Sequence, residues 1–247
     1  MITMVGFDGD DTLWHSEGYY QAAHAAFAEI LGRYVDLGDR GLHDDMLLTE
    51  RRNLALFGYG AKGMTLSMVE TAIALTDARI SAKDIHRLVE IGKSVLQHPV
   101  ELLPGIREAV QAVAEEYAVV LITKGDLFHQ EKKVEQCGLA DLFRRIEIVS
   151  EKNARTYHRL FEEFAVTPAQ FAMVGNSLRS DIEPVVRLGG WGVHVPYHVT
   201  WSHELEHGLG DAHERLLTVT SPAGIAAAVR TLGDMAAGGG TTASAHR

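Results

Sequence analysis

The chain has 247 residues, 46% of them apolar, and a formal net charge of -10 at neutral pH. That length accommodates one large domain, or a core domain with a smaller one inserted, and the apolar share suffices to bury a full core. The negative balance excludes a general binder of nucleic acid or of anionic membranes, because both need a basic surface to gain from counterion release or lipid attraction.

A small-molecule substrate is therefore expected. Cys137 is the single cysteine, so no intrachain disulfide forms, and nothing in EQCGLAD supplies a base for a thiol catalyst. It reads as small apolar packing. The amino terminus enters an apolar run without a basic stretch, and no uncharged run reaches the length of a membrane span, so a soluble cytoplasmic protein is expected.

In chain order, the first strand is predicted at 2–7 (ITMVGF). Residues 15 to about 98 then read as helices without a convincing strand: EGYYQAAHAAFAEIL, HDDMLLTERRNLALF, MTLSMVETAIAL and, after the capping pattern of Ser81 and Asp84, AKDIHRLVEIGKSVL. GYGAKG (58–63) is a glycine-rich turn between two of these helices. Lys62 within it is the candidate for a specificity loop reaching the active site, the alternative being an ordinary helix connection. QHPVELLPGI, with Pro99, Pro104 and Gly105, reads as the return hinge.

Beyond the hinge, apolar runs at 117–123 (YAVVLIT), 145–150 (RIEIVS), 171–175 (FAMVG), 191–196 (WGVHVP) and 215–220 (RLLTVT) are predicted strands. They alternate with the helical patterns IREAVQAVAEE, LFHQEKKVEQC, ARTYHRLFEEF and DIEPVVRL. Thr167-Pro168 and Ser221-Pro222 look like N-caps followed by proline in the first turn. Strands that are apolar throughout, alternating with helices, predict a parallel sheet covered on both faces. The expected architecture is a doubly wound α/β core over 1–14 and 99–235, a helical cap inserted at 15–98, and a flexible tail at 236–247.

In an open parallel sheet, ligands bind beyond the carboxyl ends of the strands, where the winding direction changes. The first strand is followed by Asp8-Gly9-Asp10-Asp11-Thr12 and the second by Thr123-Lys124-Gly125-Asp126. Glu151-Lys152 stands near the third, and the fourth is followed by Gly175-Asn176-Ser177 with Asp181 beyond. Clustered carboxylates with a side-chain amide suit Mg²⁺, a hard cation that takes oxygen ligands and keeps several waters. A threonine hydroxyl, nearby backbone N–H groups and a lysine are donors for phosphate oxygens. One carboxylate can attack phosphorus to give an aspartyl phosphate, and a second, two residues on, can protonate the leaving alcohol and later activate water.

The set DGDDT (8–12), LIT (121–123), Lys152 and GNSLRSD (175–181), in that order, resembles the haloacid dehalogenase-like (HAD) hydrolase superfamily. LLPGI ahead of the second motif is typical of its members with a small helical cap. The resemblance implies Asp8 as nucleophile and metal ligand, and Asp10 as acid/base with its backbone carbonyl on the metal. It implies Thr123 and the backbone around Lys124 and Gly125 as the phosphate cradle, and Lys152 as the group that steadies nucleophile and phosphate. Asn176 and Asp181 would complete the Mg²⁺ site, Asn176 standing where the family usually has aspartate. Thr12, which shapes the turn, and Trp14, Lys62, Lys124 and Gly125 are the substrate-side candidates.

By the same resemblance, dehalogenases lack the second aspartate, because displacing halide from carbon needs neither Mg²⁺ nor a proton donor. Asp10 therefore points to a Mg²⁺-dependent phosphatase whose cap closes over a small phosphorylated metabolite, working as a monomer or homodimer. A 2-haloacid dehalogenase and a phosphomutase are the alternatives. A more remote one is a zinc metalloprotease, because HELEHGLGDAH (203–213) satisfies HExxHxxGxxH with His203, His207, His213 and Glu204. Its context is wrong: Pro196 lies upstream, Gly208 follows His207 directly, and few apolar residues could bury such a helix. A polar surface segment is the favoured reading. His15 and Trp14 flank the first motif as candidates to meet substrate or to pack the cap, and Asp11 is expected to face solvent or pair with a base at the hinge.

Overall fold

The computed structural model describes residues 1–37, 42–198, 209 and 213–238. The chain divides into two compact units. One comprises Met1–His15, Val100–Lys124 and Lys133–Arg247, the other Ser16–Pro99 and Gly125–Lys132.

The first unit is built on strands β1 (Met4–Phe7), β2 (Ala118–Lys124), β3 (Arg145–Val149), β4 (Phe171–Gly175), β5 (Trp191–His194) and β6 (Leu216–Thr218). They form one sheet in the order β3-β2-β1-β4-β5-β6, and every pairing is parallel. The winding reverses between β1 and β4, which is where such a sheet opens a crevice beyond its strand ends.

Helices α1 (Glu17–Leu31), α2 (Leu42–Phe57), α3 (Ala61–Leu75) and α4 (Ala82–Gln97) precede β2, as does α5 (Ile106–Ala114). Beyond it lie α6 (Leu127–Cys137), α7 (Ala154–Phe164), α8 (Glu183–Arg187) and α9 (Ile225–Gly238).

The period-two geometry of a strand sends alternate side chains to opposite faces, and both faces of this sheet are apolar. Val5, Phe7, Val119, Leu121, Ala172 and Val174 face a core shared with α5 and α9. Met4, Val120, Ile122, Phe171 and Met173 face a second core shared with Tyr157, Leu160 and Phe161 of α7. Fully burying one such side chain is worth about 1.5–3 kcal/mol, so both layers hold the central strands in register.

The helical unit has its own core, drawn from Phe27 and Leu31 of α1, Met46 of α2, Met64 and Met68 of α3, and Leu88 and Val95 of α4. The Ser81 side chain caps α4 by accepting from Asp84 N–H at 3.1 Å.

Several details depart from the sequence-based expectation. DIEPVVRL is not one helix. A π-helical turn over Leu178–Ile182 leads into α8, and Pro184 sits in the first turn of α8, where its missing N–H costs no hydrogen bond. Thr167 opens only a 3₁₀ turn, with Gln170 Oε1 accepting from its N–H and its hydroxyl at 2.9 Å each. Ser221 makes no side-chain cap bond. Residues 236–238, expected in the flexible tail, are the last of α9, while 239–247 lie outside the described residues. Among the described residues, no helix is long and apolar enough to cross a membrane.

Candidate active site

Asp8 follows β1 directly, and its N–H donates to Val174 O of β4 at 2.9 Å, continuing the sheet by one bond past the strand end. The chain then turns sharply. Leu13 N–H returns to Gly9 O at 2.8 Å, and Asp11 N–H donates to Trp14 O at 2.7 Å. A Cβ on Gly9 would lie 2.7 Å from the Trp14 ring and 2.9 Å from Thr123 Oγ1, so only glycine admits the indole on one side and the β2 threonine on the other. Asp11 completes the turn with a φ of 61°, a left-handed conformation that aspartate tolerates better than most residues. It is buried, which overturns the expectation that it faces solvent. The turn draws its side chain inward with the backbone.

Thr12 is fully buried. Its hydroxyl lies 2.9 Å from Asp8 Oδ2 and 3.3 Å from Asn176 Oδ1, and it accepts from Asn176 N–H at 3.0 Å. One hydroxyl therefore ties the loop after β1 to the loop after β4. Across from it, Lys152 Nζ donates to Asp8 Oδ1 and to Asp181 Oδ1, the latter at 2.8 Å. Asp181 Oδ2 accepts from Ser177 N–H at 3.0 Å. A Cβ at Gly175 would lie 2.2 Å from Asp181 Oδ2, so a glycine ends β4 because the π-helical turn folds Asp181 back against it.

Thr123 ends the buried part of β2. Its Oγ1 is buried and has no hydrogen-bond partner among the described residues. Lys124 Nζ donates to Ser180 Oγ at 3.0 Å and stands 3.6 Å from Glu151, a held position instead of a freely solvated one. Gly125 follows with a φ of 149°.

Two carboxylates and one ammonium, all nearly inaccessible, set the electrostatics. Asp8 is pushed up to about 7. Burial is the largest cause, the Asp181 carboxylate adds to it, and the charge and hydrogen bond of Lys152 work the other way. Burial also works to lower Lys152, but Asp181 and Asp8 outweigh it and hold its ammonium charged well above the ordinary range. With Asp8 ionised the trio carries a net negative charge in a desolvated place, an arrangement that a hard cation would relieve.

The oxygens that could take one are the Asp8 and Asp181 carboxylates, the Asn176 amide and the Asp10 main-chain carbonyl. Among the described residues, no three His, Cys, Asp or Glu side chains gather as a metal-ligand group. Here two of the four donors are amide-type oxygens, and the residues fit Mg²⁺ by their hardness.

The Asp10 carboxylate is directed elsewhere. Its Oδ1 accepts from Trp14 Nε1 at 2.5 Å and from Lys133 Nζ at 2.7 Å. Trp14, a substrate-side candidate, is fully buried and serves as a donor to Asp10. Lys133 escaped the sequence reading because EKKVEQ looks like a solvated charge run. Its spacing was the available signal: Gln130, Lys133, Val134 and Cys137 are all buried, and offsets of 3, 4 and 7 are one face of a helix.

Over residues 2–189 the chain matches the family described as haloacid dehalogenase-like hydrolase. It belongs to that family.

This HAD-like hydrolase is 57% identical to a haloacid dehalogenase-like family hydrolase from Xanthomonas campestris, with a TM-score of 0.88, 96% of this chain and 98% of that one being covered. Two more distant solved structures share the fold. A 2-haloacid dehalogenase from Pseudomonas syringae pv. tomato is 18% identical, with a TM-score of 0.61 over 94% of this chain and 99% of that one. A predicted phosphoglycolate phosphatase from Haemophilus somnus is 17% identical, with a TM-score of 0.59 over 92% and 98% respectively. A comparison with curated proteins finds no match.

The remaining candidates of this HAD-like hydrolase lie as follows. In the helical unit, Lys62 Nζ donates to Asp126 Oδ2 at 2.9 Å and stands 5.1 Å from the centre of the Phe128 ring. Gly58 and Gly60 turn the chain with φ of 69° and 110°, and α3 begins at Ala61, so Lys62 is in its first turn. In the sheet unit, His15 Nδ1 lies 2.7 Å from the Tyr197 hydroxyl. His203, Glu204 and His207 lie outside the described residues; His213 is described, and its Nδ1 accepts from Arg215 N–H at 3.3 Å.

Proposed function

We propose that this HAD-like hydrolase is a Mg²⁺-dependent phosphatase of small phosphorylated metabolites that works through an aspartyl phosphate on Asp8. The observation that carries the reading is the second carboxylate, Asp10, held two residues beyond the buried Asp8. A carbon–halogen bond broken by carboxylate attack has no use for a proton donor, whereas an alkoxide leaving from phosphorus does. The Thr123 hydroxyl supports the same reading, since a buried donor with no partner among the described residues suits an oxyanion that arrives with substrate.

In this mechanism Asp8 attacks phosphorus in line while Asp10 gives its proton to the departing oxygen. The P–O bond to the alcohol breaks as the bond from the Asp8 carboxylate forms. Lys152 keeps Asp8 oriented and offsets charge on the phosphoryl oxygens, with Thr123 and the N–H groups that follow it as further donors. Asp10, now a carboxylate, takes a proton from water, which attacks the aspartyl phosphate and frees Asp8. Asp8, Asp181, Asn176 and the Asp10 carbonyl would hold a Mg²⁺, which would supply positive charge to offset that of the carboxylates and the phosphoryl group.

The rim residues address only the phosphoryl group. We therefore place the choice among metabolites in the helical unit, with Lys62 as the first residue to vary.

A screen of phosphorylated metabolites with Mg²⁺, run beside haloacids and a peptide library, tests the reading. Phosphate release that needs Mg²⁺ and survives replacement of His203 and His207 is the expected result. Halide release in its place would make the chain a dehalogenase, and zinc-dependent peptide cleavage lost with those histidines would make it a protease.

A further inference from the structure

In the helical unit the short turn after Phe57 folds α3 back along α2, and the outward face of this hairpin is apolar where water would favour charge. Leu48 and Leu56 of α2 are 57% and 78% exposed, and Leu66 and Ile73 of α3 are 48% and 41% exposed. Among the described residues of α2, Met46 apart, the buried stripe is polar. Thr49, Glu50 and Asn53 lie inside, with Glu50 3.6 Å from His24 of α1 and Asn53 donating to Ser67 Oγ at 3.0 Å. A surface helix ordinarily turns its apolar stripe to the core and its polar one to water. The reversal in α2 calls for something to cover its outer leucines.

Contacts within the hairpin set the register of the two outer stripes. Arg52 Nη2 stands 3.9 Å from Glu70 Oε1, and Asn53 Nδ2 donates to Glu70 Oε2 at 2.9 Å. Leu56 is one turn along from Arg52 and Leu66 one turn back from Glu70, so these two leucines share a level. By the same count Leu48 and Ile73 share a level on the other side of the ion pair. Along its length the face therefore runs apolar, charged, apolar, with Arg52 and Glu70 side by side in the middle row.

That layout complements itself about one axis. A twofold axis parallel to the helices lays α2 of one chain against α3 of the other, so that Arg52 meets the partner's Glu70 and Glu70 the partner's Arg52. Leu56 then meets the partner's Leu66, and Leu48 the partner's Ile73. An axis across the helices would instead set each of the two charges against its own copy. A chain with a net charge of -10 repels a second copy of itself. A face whose two charges are opposite and exchange partners under the twofold escapes that repulsion.

We infer that this hairpin is a dimer interface, in which α2 and α3 of two chains build an antiparallel four-helix bundle around their outer apolar side chains. The charged row contributes little affinity, as exposed ion pairs do, and selects the orientation. The inference stands apart from the phosphatase reading, since none of these six residues belongs to the proposed active site.

Sedimentation velocity of the full chain from about 0.1 to 100 µM, a range that brackets a micromolar Kd, tests it. The wild type should be a dimer at the upper end. Leu56→Glu sets a charge against the partner's Leu66 at two symmetry-related places and should raise Kd at least about 100-fold, with an unchanged circular dichroism melt in dilute solution. Arg52→Glu and Glu70→Arg each bring like charges together across the interface and should raise it about 10-fold or more. Mixed in equal amounts, these two variants should recover the dimer, because each then faces the opposite charge at both places.

A wild type that is still a monomer at about 100 µM overturns the inference and leaves the face to a different protein. A dimer indifferent to Leu56→Glu overturns it by placing the interface elsewhere. Charge variants that do not recover on mixing overturn the twofold arrangement, and with it the interface as drawn. If Leu56→Glu does not fold, the mixing result decides alone.

Discussion

Asp84 of the helical unit and Asp8 of the sheet unit are both buried, and their surroundings push them in opposite directions. Asp84 accepts from the Tyr34 hydroxyl at 2.5 Å, from the Ser81 hydroxyl at 3.0 Å and from Arg87 at 2.8 Å. These donors, Tyr34 first, hold it down at about 2. Asp8 has Lys152 and Thr12 for donors, but burial and the facing Asp181 push it up to about 7. A carboxylate that the fold satisfies is part of the scaffold. One kept dry beside a like charge is held for something that arrives later, and catalytic groups are the usual reason for such an arrangement.

The sharpest break in this comparison comes from Asp8 itself. Asp8→Asn removes the proposed nucleophile and should abolish phosphate release while leaving the circular dichroism spectrum unchanged; retained turnover would remove Asp8 from that role.

Thr123→Val comes next. It deletes a hydroxyl that makes no hydrogen bond among the described residues, so kcat/KM should fall about 10²–10³-fold, the usual effect of losing one preorganised oxyanion donor. Stability of the ligand-free chain should stay level or rise by about 1 kcal/mol, because an unsatisfied buried group is removed. A loss of stability in denaturant melts would show that the hydroxyl is structural.

The two aspartates should also titrate with opposite sign in chelator-treated protein. Asp8 has a folded value above its unfolded 3.8, so between about pH 4 and 7 the native state keeps a proton that the unfolded chain has lost. Stability contributed by this group falls as pH rises through that window, on the order of a few kcal/mol in all. Mg²⁺ should flatten the slope, as should Asp8→Asn. Asp84 has a folded value below its unfolded one, so its contribution is present above about 3.8 and is lost as pH falls toward about 2. Thermal melts from about pH 2 to 8, with and without Mg²⁺, read both.

The smallest effect belongs to Ser81→Ala, which removes the cap of α4. A loss of about 1 kcal/mol with unchanged turnover is expected from urea titration and phosphate release.

Much of this was legible before folding. Parallel strands buried on two faces leave unbroken apolar runs, and helices α1 and α4 announce themselves by periodicity and a capping serine, so their bounds were read to within a residue or two. The motif residues were legible because oxygen and nitrogen donors directly after such runs have little structural reason to be there. Lys133 was not, since a lysine in a charged stretch of helix looks solvated until one knows which face α6 buries. The inward turn of Asp11 was hidden for a similar reason: its left-handed backbone follows from the return of Trp14 and Leu13 to Gly9, a contact no local propensity encodes.

By itself, then, the sequence determined the α/β class, the inserted helices and the inventory of groups at the strand ends, because hydrophobic period and residue chemistry are local properties. The tertiary structure alone decided the strand order that brings β1 beside β4, the meeting of Asp8 and Asp181 on one lysine, the isolation of the Thr123 hydroxyl and the hold of Lys133 on Asp10. Each depends on which distant segments share a space, and pairing, desolvation and charge take their values only once the chain has closed around them.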